Sequence, residues 1–90
     1  MTEDQLATLL QAEMLEWAKK PLDQIVNELR QPVGYERGKD EAWHQFELNL
    51  LENTPEYIHV GVSVDDGSFL WSSAPKSSSF IVHRDGRTEV

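Results

Sequence analysis

The sequence predicts an α+β fold: two N-terminal helices packed on one face of a four- to five-stranded antiparallel β-meander, a two-layer sandwich. Three observations carry this. Apolar residues recur at helical spacing up to Leu29, then alternate with polar ones from Trp43 onward. Prolines at 21 and 32 punctuate the helical part. The connections between the alternating runs have lengths that set apolar residues opposite apolar residues. Ninety residues supply one core and hence one domain, 1–90, with a helical layer over 1–31 and an antiparallel sheet over 32–90.

Thr2 and Gln5 have the spacing of a capping box. Glu3 and Asp4 suit the positive end of a helix dipole, and Lys19 and Lys20 its negative end. Leu6, Leu9, Leu10, Met14 and Trp17 line one face between them, so residues 3–19 are expected as one amphipathic helix. Pro21 breaks that helix or opens the next, whose stripe is Leu22, Ile25, Val26 and Leu29. Both stripes are expected to cover the sheet. The alternative is a first helix that leaves the domain to pair with a partner or a second copy.

In the sheet half, His44, Phe46, Leu48 and Leu50 form one alternating set, and Ile58, Val60, Val62 and Val64 a second. Phe69 and Trp71 follow, then Phe80 and Val82. A two-residue turn at Asp66-Gly67 would pair Val64 with Phe69 and Val62 with Trp71. A four-residue turn at 74–77 would pair Trp71 with Phe80 and Phe69 with Val82. A three-residue loop at Asn53-Thr54-Pro55 would pair Phe46 with Val62 and Leu48 with Val60. Residues 33–36 are a candidate edge strand turning at Gly38-Lys39, and residues 87–90 either fold back as a short strand or fray.

The same register defines an uncovered face. Its rows are expected to be Glu47, Gly61, Ser72 and Ser79; Gln45, Ser63, Leu70 and Ile81; and Asn49, His59 and Ala74. Trp43 is expected at one end of that face, and Leu51 and Tyr57 at the other. Apolar residues among small polar ones mark a contact surface. The expected interaction face is therefore Trp43, Leu51, Tyr57, His59, Leu70 and Ile81.

Catalysis is not expected. With no cysteine, the available groups are His44, His59, His83, the acids and the serines. His44 has the parity of a packed core histidine. His59 and His83 are expected on strands separated by one other, more than about 10 Å apart and too far for joint metal ligation. Glu47 beside Ser72, Ser79 and His59 resembles an acid, nucleophile and base, but on a flat face without an oxyanion hole. Asp65-Asp66-Gly67-Ser68 lacks the spaced ligands of a calcium loop and is expected as a turn. Arg84-Asp85-Gly86-Arg87 lacks the glycine spacing and lysine of a phosphate loop. No cofactor and no metal are expected.

Sixteen acids against eight bases give a net charge of −8, spread over both halves. Without a basic stripe, nucleic acid is not an expected partner. No apolar run reaches the length of a membrane span, and the acidic start lacks the basic region of a signal peptide. The chain is therefore expected to be soluble and cytoplasmic. The expected function is a non-catalytic protein-interaction or regulatory module that binds a protein partner or itself, as a homodimer. Its most specific version offers acids to a basic partner. The alternative is a small-molecule binder or weak hydrolase using a cleft at the sheet edge, with His59, Glu47 or Tyr57 taking part.

Overall fold

Thr2 accepts a hydrogen bond from the Gln5 amide, and Gln5 returns one to the Thr2 amide, so the predicted capping box starts α1 (Glu3–Ala18). Leu10, Met14 and Trp17 are buried on one side of α1, with Glu13 among them. Pro21 caps α2 (Leu22–Glu28), which buries Ile25 completely and leads into the buried Leu29. The strands are β1 (Val33–Arg37), β2 (His44–Asn53), β3 (Tyr57–Asp65), β4 (Lys76–His83) and β5 (Thr88–Glu89). They form one sheet in the order β1-β2-β3-β4-β5, each antiparallel to the next. The computed structural model describes residues 1–67 and 76–90.

The fold is the predicted α+β arrangement, with both helices on the inner face of a five-stranded sheet. α1 packs on β3 and β4, and its C-terminal end reaches β1 through Trp17. The core joins Leu10, Met14, Trp17, Ile25 and Leu29 to the inward side chains of Phe46, Leu48, Ile58, Val60, Val62, Val64, Phe80 and Val82. Burying each large side chain contributes about 1.5–3 kcal/mol relative to exposure. Both conditional strands form: the 33–36 segment extends to Arg37 as β1, and Thr88–Glu89 pairs with Ile81 and Val82.

Face assignments survive, but registers do not. Phe46 lies opposite Val64 and Leu48 opposite Val62, two residues from the predicted pairing. The β2–β3 ladder then shifts between Leu50 and Glu52, which leaves Leu51 as an extra residue. Val64 and Val62 face Lys76 and Ser78 across β4, not Phe69 and Trp71. Phe80 faces Val60, and Val82 lies between Ile58 and Thr88. The predicted Phe69–Trp71 strand lies outside the described residues, as do Leu70, Ser72 and Ala74. The physical reason is the period itself: alternation fixes which face a side chain takes, and a slip of two residues costs nothing in that pattern.

The β1–β2 connection is tighter than a plain turn. Residues Asp40–Ala42 make a short 3-10 turn, and Gly38 has φ of +70°. A Cβ at Gly38 would fall 2.3 Å from the Ala42 carbonyl oxygen. Gly34, within β1, would meet its neighbours only at 3.6 Å and beyond. Gly38→Ala should therefore cost about 1–3 kcal/mol, from strain at a left-handed position and the backbone clash. Gly34→Ala should change stability by less than about 1 kcal/mol. Urea midpoints of the two variants check this; equal midpoints would contradict the turn described.

Candidate functional site

The outer face of the sheet holds five of the six residues predicted for it; Leu70 lies outside the described residues. Trp43 caps the 3-10 turn and donates its indole N–H to Glu36 at 3.1 Å. Its ring lies against Gly67, where a Cβ would meet it at 3.4 Å. At the far end, Glu52, His59, Ile81 and Glu89 form one cross-strand row, with Tyr57 and His83 as the next. Tyr57 donates to Glu52, His59 Nδ1 lies 3.6 Å from Glu52, and His83 Nε2 contacts Glu89. The hydrogen bond that Tyr57 donates to Glu52 raises its phenol above the ordinary range, because ionising it would set two negative charges together. Leu51 extends from the ladder shift over Gly61, with its Cγ 3.2 Å from where a Cβ would sit, and remains 49% exposed.

The structure separates Trp43 from this group by the length of β2. It also rearranges the predicted rows: Glu47 lies between Gly34 and Ser63, while Ser79 lies beside Gly61. Glu47, Ser79 and His59 thus occupy three successive rows and form no acid–nucleophile–base set. His59 and His83 lie diagonally on adjacent strands, not on strands separated by another. Among the described residues, no three His, Cys, Asp or Glu side chains are grouped to hold a metal. His44 is buried as its parity predicts, with Nδ1 2.8 Å from the Ala42 carbonyl and its ring edge-on to Phe46. Asp65 Oδ1 accepts from the Gly67 amide at 2.9 Å, which makes this segment a turn.

A second site lies at the sheet edge, where the alternative reading of the sequence expected a cleft with other residues. A cleft of about 700 Å³ runs between the helices and the edge strand β1. Glu13, Glu16 and Trp17 of α1 form one wall, Lys20 and Glu28 the end, and Val33, Tyr35 and Arg37 of β1 the other wall. The expected cleft residues His59, Glu47 and Tyr57 are on the opposite face of the sheet and do not line it.

A hydrogen-bond relay crosses the cleft floor. The Trp17 indole N–H donates to the Tyr35 hydroxyl at 2.9 Å, and that hydroxyl donates to Glu13 Oε2. Arg37 also reaches Glu13 Oε2, at 3.0 Å. Glu13 is a buried carboxylate, tolerable because two donors satisfy it and one is a cation. Above the relay, the Lys20 ammonium lies 3.8 Å from the Trp17 ring centroid and 3.1 Å from Glu28 Oε2. The sequence does carry a signal for Glu13: it falls at the position after Leu10 and before Met14 where helical spacing requires an apolar residue. Tyr35 and Arg37 share the inward parity of Val33 on the edge strand.

Burial pushes the Tyr35 phenol up to about 12, the hydrogen bond to Glu13 adds to this, and Trp17 and Arg37 oppose it. Since the folded value lies above the ordinary 10.0, the relay's contribution to stability is present below pH 10 and lost as pH rises through 12. Tyr35 and Tyr57 are the two tyrosines of the chain. In Tyr57→Phe, ultraviolet titration should therefore show the remaining phenol ionising near 12. Tyr35→Phe should cost about 1–3 kcal/mol by leaving the Trp17 N–H without its acceptor and Glu13 with Arg37 alone. A phenol titrating at its ordinary value would contradict the relay.

Compared with known proteins, the chain matches no family model, and no curated protein and no solved structure shows significant similarity to it.

Proposed function

We propose that the chain is a non-catalytic protein-interaction module that self-associates through the outer face of its sheet. The observation behind this is one-sided coverage among the described residues. Both helices pack on the inner face, and the outer face presents Leu51, Ile81, Tyr57 and His59 around Gly61. Gly61 lets Leu51 lie flat on the sheet, which makes a broad apolar surface at the cost of leaving it exposed. A ninety-residue domain has a thin core and gains much from covering such a surface.

Charge gives the assembly a sign. The described outer-face strand positions include Glu36, Glu47, Glu52, Asp65 and Glu89, and no lysine or arginine. Two copies meeting face to face set like charges near each other, and salt screens that repulsion. Self-association should therefore strengthen as ionic strength rises, whereas a basic partner on the same face would be weakened by salt.

Sedimentation equilibrium at low and high salt tests this. A dimer mass that rises with salt is expected, and Leu51→Glu with Ile81→Glu should return the chain to monomer with an unchanged far-ultraviolet spectrum. A chain monomeric at every salt concentration would remove self-association, and a double variant with undiminished mass would remove this face as its interface. In the first case a basic protein becomes the partner to seek for this face.

A further inference from the structure

β1 is an edge of the sheet: it pairs with β2 on one side, and among the described residues no strand lies on its other side. The inward side chains of β1 are also a wall of the cleft described above. Edge and cleft are therefore contiguous. A strand laid beside β1 would hydrogen-bond to its backbone and send alternate side chains inward, towards the cleft.

Lys20 shows what kind of side chain the cleft accepts. Its ammonium rests on the Trp17 ring and on both oxygens of Glu28, at 3.2 and 3.1 Å. An aromatic face beside a carboxylate is a recognition pair for an alkylammonium. The ring is held in place from beneath by Tyr35, which is itself held by Glu13. Lys20 is partly exposed on a flexible stem, so the occupant of the slot can be displaced. Glu16 adds a third carboxylate to the cleft, paired with Lys19 at 3.1 Å, in a chain of net charge −8. The net charge of the chain favours a cationic arrival.

We propose that the β1 edge and its cleft are a second binding site, for an extended lysine-bearing segment of a partner protein. The segment adds to β1 as a strand, and its lysine displaces Lys20 from Trp17 and Glu28. Lys20 is then a tethered competitor that keeps the slot filled until the segment binds. This site uses none of the outer face and stands or falls separately from self-association.

The test is a titration of the ¹⁵N-labelled chain with the capped peptide Thr-Lys-Val-Lys-Thr, beside a control in which norleucine replaces both lysines. Shifts are expected at the amides of residues 33–37 and at the Trp17 indole N–H. If Lys20 occupies the slot nine times in ten, Lys20→Gln should tighten binding about tenfold. Glu28→Gln should weaken it several-fold. Both residues are partly exposed, so the variants should keep the parent spectrum, and Lys20→Ala replaces Lys20→Gln if they do not. Equal binding of the norleucine peptide, shifts confined to the outer face, no response at millimolar peptide, or unchanged affinity in a folded Lys20 variant would each overturn the proposal.

Discussion

Leu10, Met14 and Trp17 press α1 onto the inner rows of the sheet, and the rest of the molecule is arranged around that seam. A ninety-residue chain has one core to make, and α2, at seven residues, is too short to be helical without tertiary contacts. Ile25 and Leu29 supply those contacts by reaching the same core. The sheet depends on the seam too: a twisted antiparallel sheet needs an apolar face covered before its own pairing is stable in water. Among the described residues coverage comes from one side, so the opposite face presents side chains such as Leu51 to solvent or to another molecule.

Glu13 gives the seam an orientation. Apolar contacts alone let a helix rotate or slide by small amounts at little cost. A carboxylate in the same stripe does not, because it must meet donors at fixed places, and here they are Tyr35 and Arg37 on β1. α1 packs on β3 and β4, so this one charge ties the helix to the far edge of the sheet. The same bonds hold Trp17 upright at the cleft. Structural anchoring and the rigid cleft wall are thus one set of interactions.

The legible part of the sequence was the part written in periods. Capping at Thr2, the stripe of α1, the stop at Pro32 and the inward parity of Phe46, Val60, Val64 and Phe80 all follow from local rules, and the structure keeps them. Register was not legible. Val62 satisfies alternation equally well beside Phe46 or Leu48, and the ladder shift that exposes Leu51 leaves no mark in a period of two. The direct pairing of β3 with β4 was likewise not legible, because Asp66-Gly67 specifies a local bend and not which strand lies beside β3. The residues of the cleft were not legible for a different cause. Glu13, Tyr35 and Arg37 are far apart in sequence, and each reads singly as an ordinary surface residue. Only the position of Glu13 inside an apolar stripe sets it apart, and the identity of its donors required the fold.

The two edges of the sheet are managed differently, and the difference bears on which one can accept a strand. At β4, the two-residue β5 covers Ile81 and Val82, a short and partial cap. At β1, five residues are unpaired on one side among those described, and an exposed edge of that kind invites indiscriminate pairing. Charge is the usual protection, and β1 carries it on both faces: Glu36 outward against Trp43, Arg37 inward against Glu13. An incoming apolar strand would have to lie beside those charges. A basic one finds Glu28 and the Trp17 face within the adjoining cleft, held there by Lys20. The features that keep the edge from pairing at random are therefore the same ones that would give it a preference.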